Sequence, residues 1–407
     1  MPLETVSSCC GHLLLGAYYC CPSPVKTALD ALYLRSTTLQ RWFRYRLRFP
    51  PPLSEDTKLQ ELTRQCGLHF ESHTLKTSDG YWLTLHRVQH GSQEEQHQRR
   101  HRRRRRVILF HGLMQDSESF LASGRDSLAA VLALEETDCD VWLANARGNK
   151  YCQTHESFPP DSRQFWNFSL DDLILDVSAI VDFVQSCEGG GDKVVCIGFS
   201  QGSAQLCGAI SRSPSLNSKI SLLICLAPAV QPAGLAPSAV STLAQRYPSL
   251  VSLLFGRKAM FASVSLWQSI LTAPAFAAVC VTSMKFLFAW SCEQISKPRR
   301  ALLFQHIYSP ASVRLITHWF KIIRDRRLGS FAGEPFPPLG AITCPVGILA
   351  GTQDGLIVPQ ALRDAVANCV LFHLEPDYEH LDVIWADNCK ERIFSKIKLL
   401  ITAHLDY

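Results

Sequence analysis

The chain has 407 residues, 47% hydrophobic and 19% charged, with 41 Lys and Arg against 36 Asp and Glu. That composition excludes an intrinsically disordered protein and leaves room for one large α/β domain or two ordinary ones. The net charge of +5 does not point to nucleic acid: Arg99, Arg100 and the run 102–106 form one block, and removing their seven charges leaves −2.

In chain order the first feature is the apolar stretch 9–21 (CCGHLLLGAYYCC). It is shorter than the ~20 residues a spanning helix needs. No Lys or Arg precedes it, unlike the start of a signal peptide. Arg35, Arg41, Arg44, Arg46 and Arg48 follow, interleaved with Trp42, Phe43 and Tyr45, a pattern suited to a membrane interface. The pairs Cys9/Cys10 and Cys20/Cys21 are candidates for S-acylation. Residues 1–60 are therefore expected to form a membrane-associating N-terminal segment, closed by Pro50, Pro51 and Pro52.

Residues 68–75 and 82–88 alternate apolar and polar around Ser78-Asp79-Gly80, which predicts a β-hairpin. The polar, Arg-rich residues 90–106 read as a surface loop. Compact apolar runs at 107–110, 141–144, 194–197 and 221–226 read as strands. Leu173, Ile174, Val177, Ile180, Val181 and Val184 recur at helical spacing between two of them. Strands separated by helices predict an α/β fold with a mostly parallel sheet flanked by helices. From 229 to 340 that rhythm gives way to several helices. Residues 263–290 carry one charge, Lys285, over a length that suits a membrane span, but Pro274 interrupts them and strands flank them. A helical cap over the carboxyl edge of the sheet is expected there, where α/β proteins bind ligands. Strands resume at 346–349 and 370–374, and an amphipathic helix over 393–401 closes the fold. The expected division is a core first part at 61–228, a cap at 229–340 and a core second part at 341–407.

Sixteen cysteines include no CxxC pair and no Cys/His cluster with zinc spacing, so no metal or cofactor is implied. Cys196, Cys225 and Cys344 lie in or beside core strands, and reduced thiols facing the cytosol are expected.

The chemistry begins at Gly198-Phe-Ser-Gln-Gly202. A GxSxG pattern arises by chance in about one chain in ten of this length, but here a strand precedes it and a helix follows. That context makes Ser200 a nucleophile on a tight elbow. A serine hydroxyl needs a base, and the base an orienting acid, in the order Ser, acid, His. Asp354 in GTQDG and His380 in YEHLD meet that order after the last two strands. Asp377 and Asp382 compete for the acid role but lie too near His380 in sequence to face its ring well. Oxyanion donors are assigned to the backbone N–H groups of Leu113, after the strand 107–110, and Gln201. Asn145, Arg147, Gly148 and Asn149 read as loop anchors. Phe165, Trp166 and Phe168 before Asp171 and Asp172 read as a staple on a helix start.

The segments HGLMQDSESF, DVWLANARGNKY, FWNFSLDD, GFSQGSAQ, GTQDGLIV and YEHLDVIWA, in this order, resemble the acid lipase family of α/β-hydrolases. That family contains gastric and lysosomal lipases and fungal membrane-bound steryl ester hydrolases. The resemblance runs from about residue 62 to residue 403. It implies an α/β-hydrolase fold with a helical cap inserted before the last two strands, and Ser200, Asp354 and His380 as the triad. It also implies Leu113 and Gln201 as oxyanion donors, no cofactor, and a lipid ester substrate, steryl ester or acylglycerol. GFSQGSAQ and residues 308–331 are most similar to the steryl ester hydrolase branch. The Arg-rich insertion departs from the family pattern, and Cys280 and Cys292 do not show the close disulfide pair expected of the secreted branch. The resulting expectation is an enzyme on the endoplasmic reticulum or a lipid droplet, its catalytic domain facing the cytosol. A secreted or lysosomal enzyme is the alternative. A triacylglycerol lipase, a lysophospholipase or a catalytically silent lipid-binding protein are the competing functions.

Overall fold

The computed structural model describes residues 55–91, 104–135, 139–187, 192–236, 247, 256–261 and 264–404. The apolar stretch 9–21, the basic and aromatic residues 35–48, and arginines 99–103 lie outside them.

The helix Glu55–Cys66 opens the described chain. Leu59 on it is fully buried in the main core. Leu59 therefore packs with the α/β unit, while Lys58 and Gln60 on either side of it are exposed. β1 (Leu68–Lys76) and β2 (Tyr81–His90) pair antiparallel, with Leu75 opposite Leu83. The turn between them closes through Gly80 at φ +97°, a conformation that suits glycine.

β3 (Arg105–Phe110) corrects the expected loop 90–106 at both ends, since β2 also runs on to His90. Arg105 and Arg106 are strand residues paired with Cys139 and Asp140 of β4 (Cys139–Ala144). Their side chains run across the fold: Arg105 donates to the Ile401 carbonyl at 2.8 Å and Arg106 to the Cys187 carbonyl at 2.7 Å. Long aliphatic stems carry the charges off the sheet, so a polar sequence conceals a strand.

From β4 onward neighbours are parallel. The sheet order is β1-β2-β4-β3-β6-β7-β10-β11, with the two-residue β5 (Thr154–His155) on β2. β6 is Val194–Phe199, β7 Ile220–Leu226, β10 Val346–Gly351 and β11 Cys369–Glu375. β4, β6, β7 and β10 are buried along their whole length, as parallel strands covered on both faces must be. The helix Leu170–Ser186 covers one face and starts in a capping box between Ser169 and Asp172, directly after the aromatic cluster Phe165, Trp166 and Phe168.

Between β7 and β10 the described residues hold four helices, Val264–Ile270, Ala273–Phe288, Lys297–Leu303 and Val313–Asp325. Pro274 stands in the first turn of the second, where a missing N–H costs nothing, and so divides the apolar run into two helices. No described helix is long and apolar enough to cross a membrane. A short antiparallel ladder, β8 (Ala259–Met260) with β9 (Ala311–Ser312), joins two parts of this region. Two residues are too few to leave a periodic signature. At the C-terminus a π-helical turn, Lys390–Phe394, precedes the helix Ser395–Ala403.

Candidate active site

β3, β6, β10 and β11 end at one edge of the sheet, and each is followed there by one of the loops singled out in the sequence. The elbow after β6 is built by exclusion. A Cβ on Gly202 would lie 2.1 Å from the Phe110 carbonyl oxygen, and one on Gly198 2.5 Å from the Ser203 nitrogen. Only glycine lets β6, β3 and the helix Gln201–Arg212 approach this closely. Ser200 between them is held at φ 53°, ψ −112°, with its N–H donating to the Leu226 carbonyl at 2.9 Å.

The structure brings Ser200, His380 and Asp354 into one hydrogen-bonded chain. Ser200 Oγ lies 2.7 Å from His380 Nε2, and His380 Nδ1 lies 2.6 Å from Asp354 Oδ2. All three are under 10% exposed, so little water competes for these bonds. The carboxylate accepts from Nδ1–H, which leaves Nε2 as acceptor for the serine hydroxyl. Asp354 is fixed in turn by the Leu356 N–H at 3.1 Å. Neither competing aspartate takes this place, and Asp377 is exposed. The Asp377 N–H donates to Thr352 Oγ1, and Asp382 accepts from the Glu379 N–H at 2.6 Å. Burial pushes the Asp382 carboxyl up to about 7.

Gln201 is the first residue of its helix, so its N–H has no intrahelical acceptor. Its side-chain oxygen accepts from Trp319 Nε1 of the cap at 2.7 Å. Leu113 follows a tightly tied turn. His111 Nδ1 donates to the Gly112 carbonyl at 2.8 Å, its Nε2 accepts from the Ala146 N–H at 3.1 Å, and Gly112 N–H donates to Gln115. Burial pushes His111 down to about 4, so this link is made by a neutral imidazole at physiological pH. Asn145 accepts from Ser117 N–H and Asn149, and Arg147 pairs with Asp176 and Asp79. These hydrogen bonds brace the loops beside the strand ends.

Two features carried no clear sequence signal. Trp290, the last residue of the apolar run 263–290, lies parallel to the His380 ring at 4.8 Å and 5°. Glu118 accepts from Lys150 at 2.7 Å and meets His306 of the cap region at 2.7 Å. Burial opposes its ionisation, but His306 and Lys150 outweigh it and hold the carboxyl below the carboxylate range. Of the other cap aromatics, Phe276 is buried, Trp267 and Phe288 pack on the core, and Phe286 is 54% exposed. Phe255 lies outside the described residues. None of the twelve described cysteines is in a disulfide, Cys280 and Cys292 included.

Residues 59–124 match the family described as a partial alpha/beta-hydrolase lipase region, and residues 105–387 the family described as the alpha/beta hydrolase fold. A Schizosaccharomyces pombe protein named a probable lipase is 33% identical over 392 residues, 89% of this chain and 87% of its own. The gastric triacylglycerol lipase of Bos taurus is 28% identical over 359 residues, 82% of this chain and 88% of its own. The crystal structure of a soluble variant of monoglyceride lipase from Saccharomyces cerevisiae, in complex with a substrate analog, shares the fold. Its TM-score is 0.52 at 17% identity, over 82% of this chain and 95% of that one. The chain belongs to the lipase family of α/β-hydrolases.

Proposed function

We propose that the protein is a serine hydrolase of lipid carboxylic esters, working through an acyl-enzyme on Ser200, with steryl esters as its substrates. The observation that carries this reading is the hydrogen-bonded chain from Ser200 through His380 to Asp354. Ser200 Oγ adds to the ester carbonyl while His380 Nε2 takes its proton, and Asp354 holds the imidazole and stabilises its cation. The N–H groups of Leu113 and Gln201 receive the oxyanion. The tetrahedral adduct collapses, the ester C–O bond breaks, and His380 returns the proton to the leaving alcohol. Water, deprotonated by His380, then adds to the acyl-serine and releases the fatty acid and free Ser200.

The buried cap aromatics Phe276 and Trp290 favour a long acyl chain or sterol over a small soluble ester. The likeness of GFSQGSAQ and residues 308–331 to the fungal steryl ester hydrolases supports the sterol. Triacylglycerol and lysophospholipid are the competing substrates, since both present the same carbonyl. Purified protein assayed side by side should release oleate faster from cholesteryl oleate than from trioleoylglycerol or a lysophospholipid. A reversed order reassigns the substrate. Full hydrolysis by Ser200→Ala protein overturns the mechanism.

The twelve described cysteines, none of them in a disulfide, support a reducing compartment. We assign the enzyme to an endoplasmic reticulum or lipid-droplet surface, with its catalytic unit facing the cytosol. Likeness to a gastric lipase favours the alternative, a secreted or lysosomal enzyme. Protease added to intact microsomes should digest the catalytic unit without detergent. Protection until detergent is added contradicts the cytosolic assignment.

A further inference from the structure

Glu379 directly precedes His380, and the reaction above gives it no task. Its carboxylate faces the cap. Oε1 accepts from the Ser291 N–H at 2.8 Å and the Ser291 hydroxyl at 3.0 Å, and Oε2 accepts from the Cys292 N–H at 2.7 Å. Glu379 is itself fixed through its N–H on Asp382. This clamp grips the segment that carries Trp290, which leaves the helix Ala273–Phe288 through Ala289 at φ 61° and meets Cys292 at φ 56°.

The indole so placed lies flat on His380, and Phe288 stacks on the indole at 4.3 Å and 18°. Phe199, next to Ser200, packs against the imidazole at 5.2 Å and 47°. Trp290 is 5% exposed, and its ring N–H is buried without a hydrogen-bond partner among the described residues. A buried, unpaired donor is destabilising, so this site holds a tryptophan for its ring face and not for its N–H.

We propose that Trp290, clamped by Glu379, is a positioning residue for His380. Its face keeps the imidazole on the line between Ser200 and Asp354, and its π-electrons stabilise the imidazolium that forms when Ser200 attacks. The cap thereby completes the base, and not only the acyl-chain surroundings. The proposal rests on the serine-hydrolase reading.

The test uses full-length Trp290→Leu, Trp290→Phe and Glu379→Ala proteins on a short ester, p-nitrophenyl acetate, and a long one, p-nitrophenyl palmitate. Trp290→Leu is expected to lower kcat about tenfold on both esters with KM little changed, the loss a misplaced base produces. Trp290→Phe, which keeps a ring face and removes the orphaned N–H, should restore most of the rate. Glu379→Ala should reproduce the Leu defect, and the double variant should be no slower than either single one, because the two act as one unit. Loss confined to the palmitate ester, or a Phe variant as slow as Leu, overturns the proposal. Should Ser200→Ala retain activity, the serine reading itself fails. Should Ser200→Ala be inactive while Trp290→Leu keeps wild-type kcat, only the positioning role fails.

Discussion

Ser200 sits in a backbone conformation that a non-glycine residue holds only when its surroundings over-determine it. Here the surroundings are the Leu226 carbonyl, which accepts the Ser200 N–H, and the two glycines that let three backbones converge. Gly202→Ala should therefore destabilise the fold by roughly 1–3 kcal/mol, the range for overpacking a filled site, because backbone of β3 stands where the methyl must go. Gly355 is the control: it lies beside Asp354 with nothing within 4 Å of a built Cβ, and its Ala variant should stay within about 0.5 kcal/mol of wild type. Urea midpoints of both variants decide this, and equal shifts contradict it. At this scale the sequence was legible where chemistry demands small residues at fixed spacing, as in GFSQG. Nothing in it distinguished Trp290 from the other cap aromatics. The orientation of that ring depends on Glu379, some ninety residues away in the chain.

Elements show the same division between local and tertiary information. The buried parallel strands announce themselves as apolar runs, because both faces must exclude water. β3 does not announce its first two residues, whose guanidinium groups satisfy distant carbonyls. The short helix Asp382–Trp385 carries a cost that depends on pH. Burial raises the Asp382 carboxyl from the ordinary 3.8 to about 7. The unfolded chain titrates at the lower value, so Asp382 costs nothing below about pH 4. Its penalty grows as pH rises towards 7, where the folded protein must bury a carboxylate. Asp382→Asn keeps an acceptor for the Glu379 N–H and removes the charge. Its Tm should exceed that of wild type at pH 8, and the gap should close at pH 4. A gap independent of pH contradicts the burial argument.

For the whole molecule, the strand order explains why residues far apart in sequence meet. Ser200, Asp354 and His380 follow β6, β10 and β11, which lie in the parallel part of a single mixed sheet and end at the same edge. The insertion between β7 and β10 brings Trp290 and Trp319 onto that edge. The sheet and its edge followed from the alternation of strands and helices, but the cap's contacts did not, since aliphatic and aromatic composition fixes burial and not direction. Arg105 and Arg106, the described arginines that open β3, stand at the end of that strand opposite the one leading into the site. The most direct test of the account is to react the purified protein with a fluorophosphonate probe and map the adduct by peptide mass spectrometry. A single modified peptide is expected, the one containing Ser200, and none in Ser200→Ala protein. An adduct on another residue, or an unlabelled protein that still hydrolyses lipid esters, contradicts it.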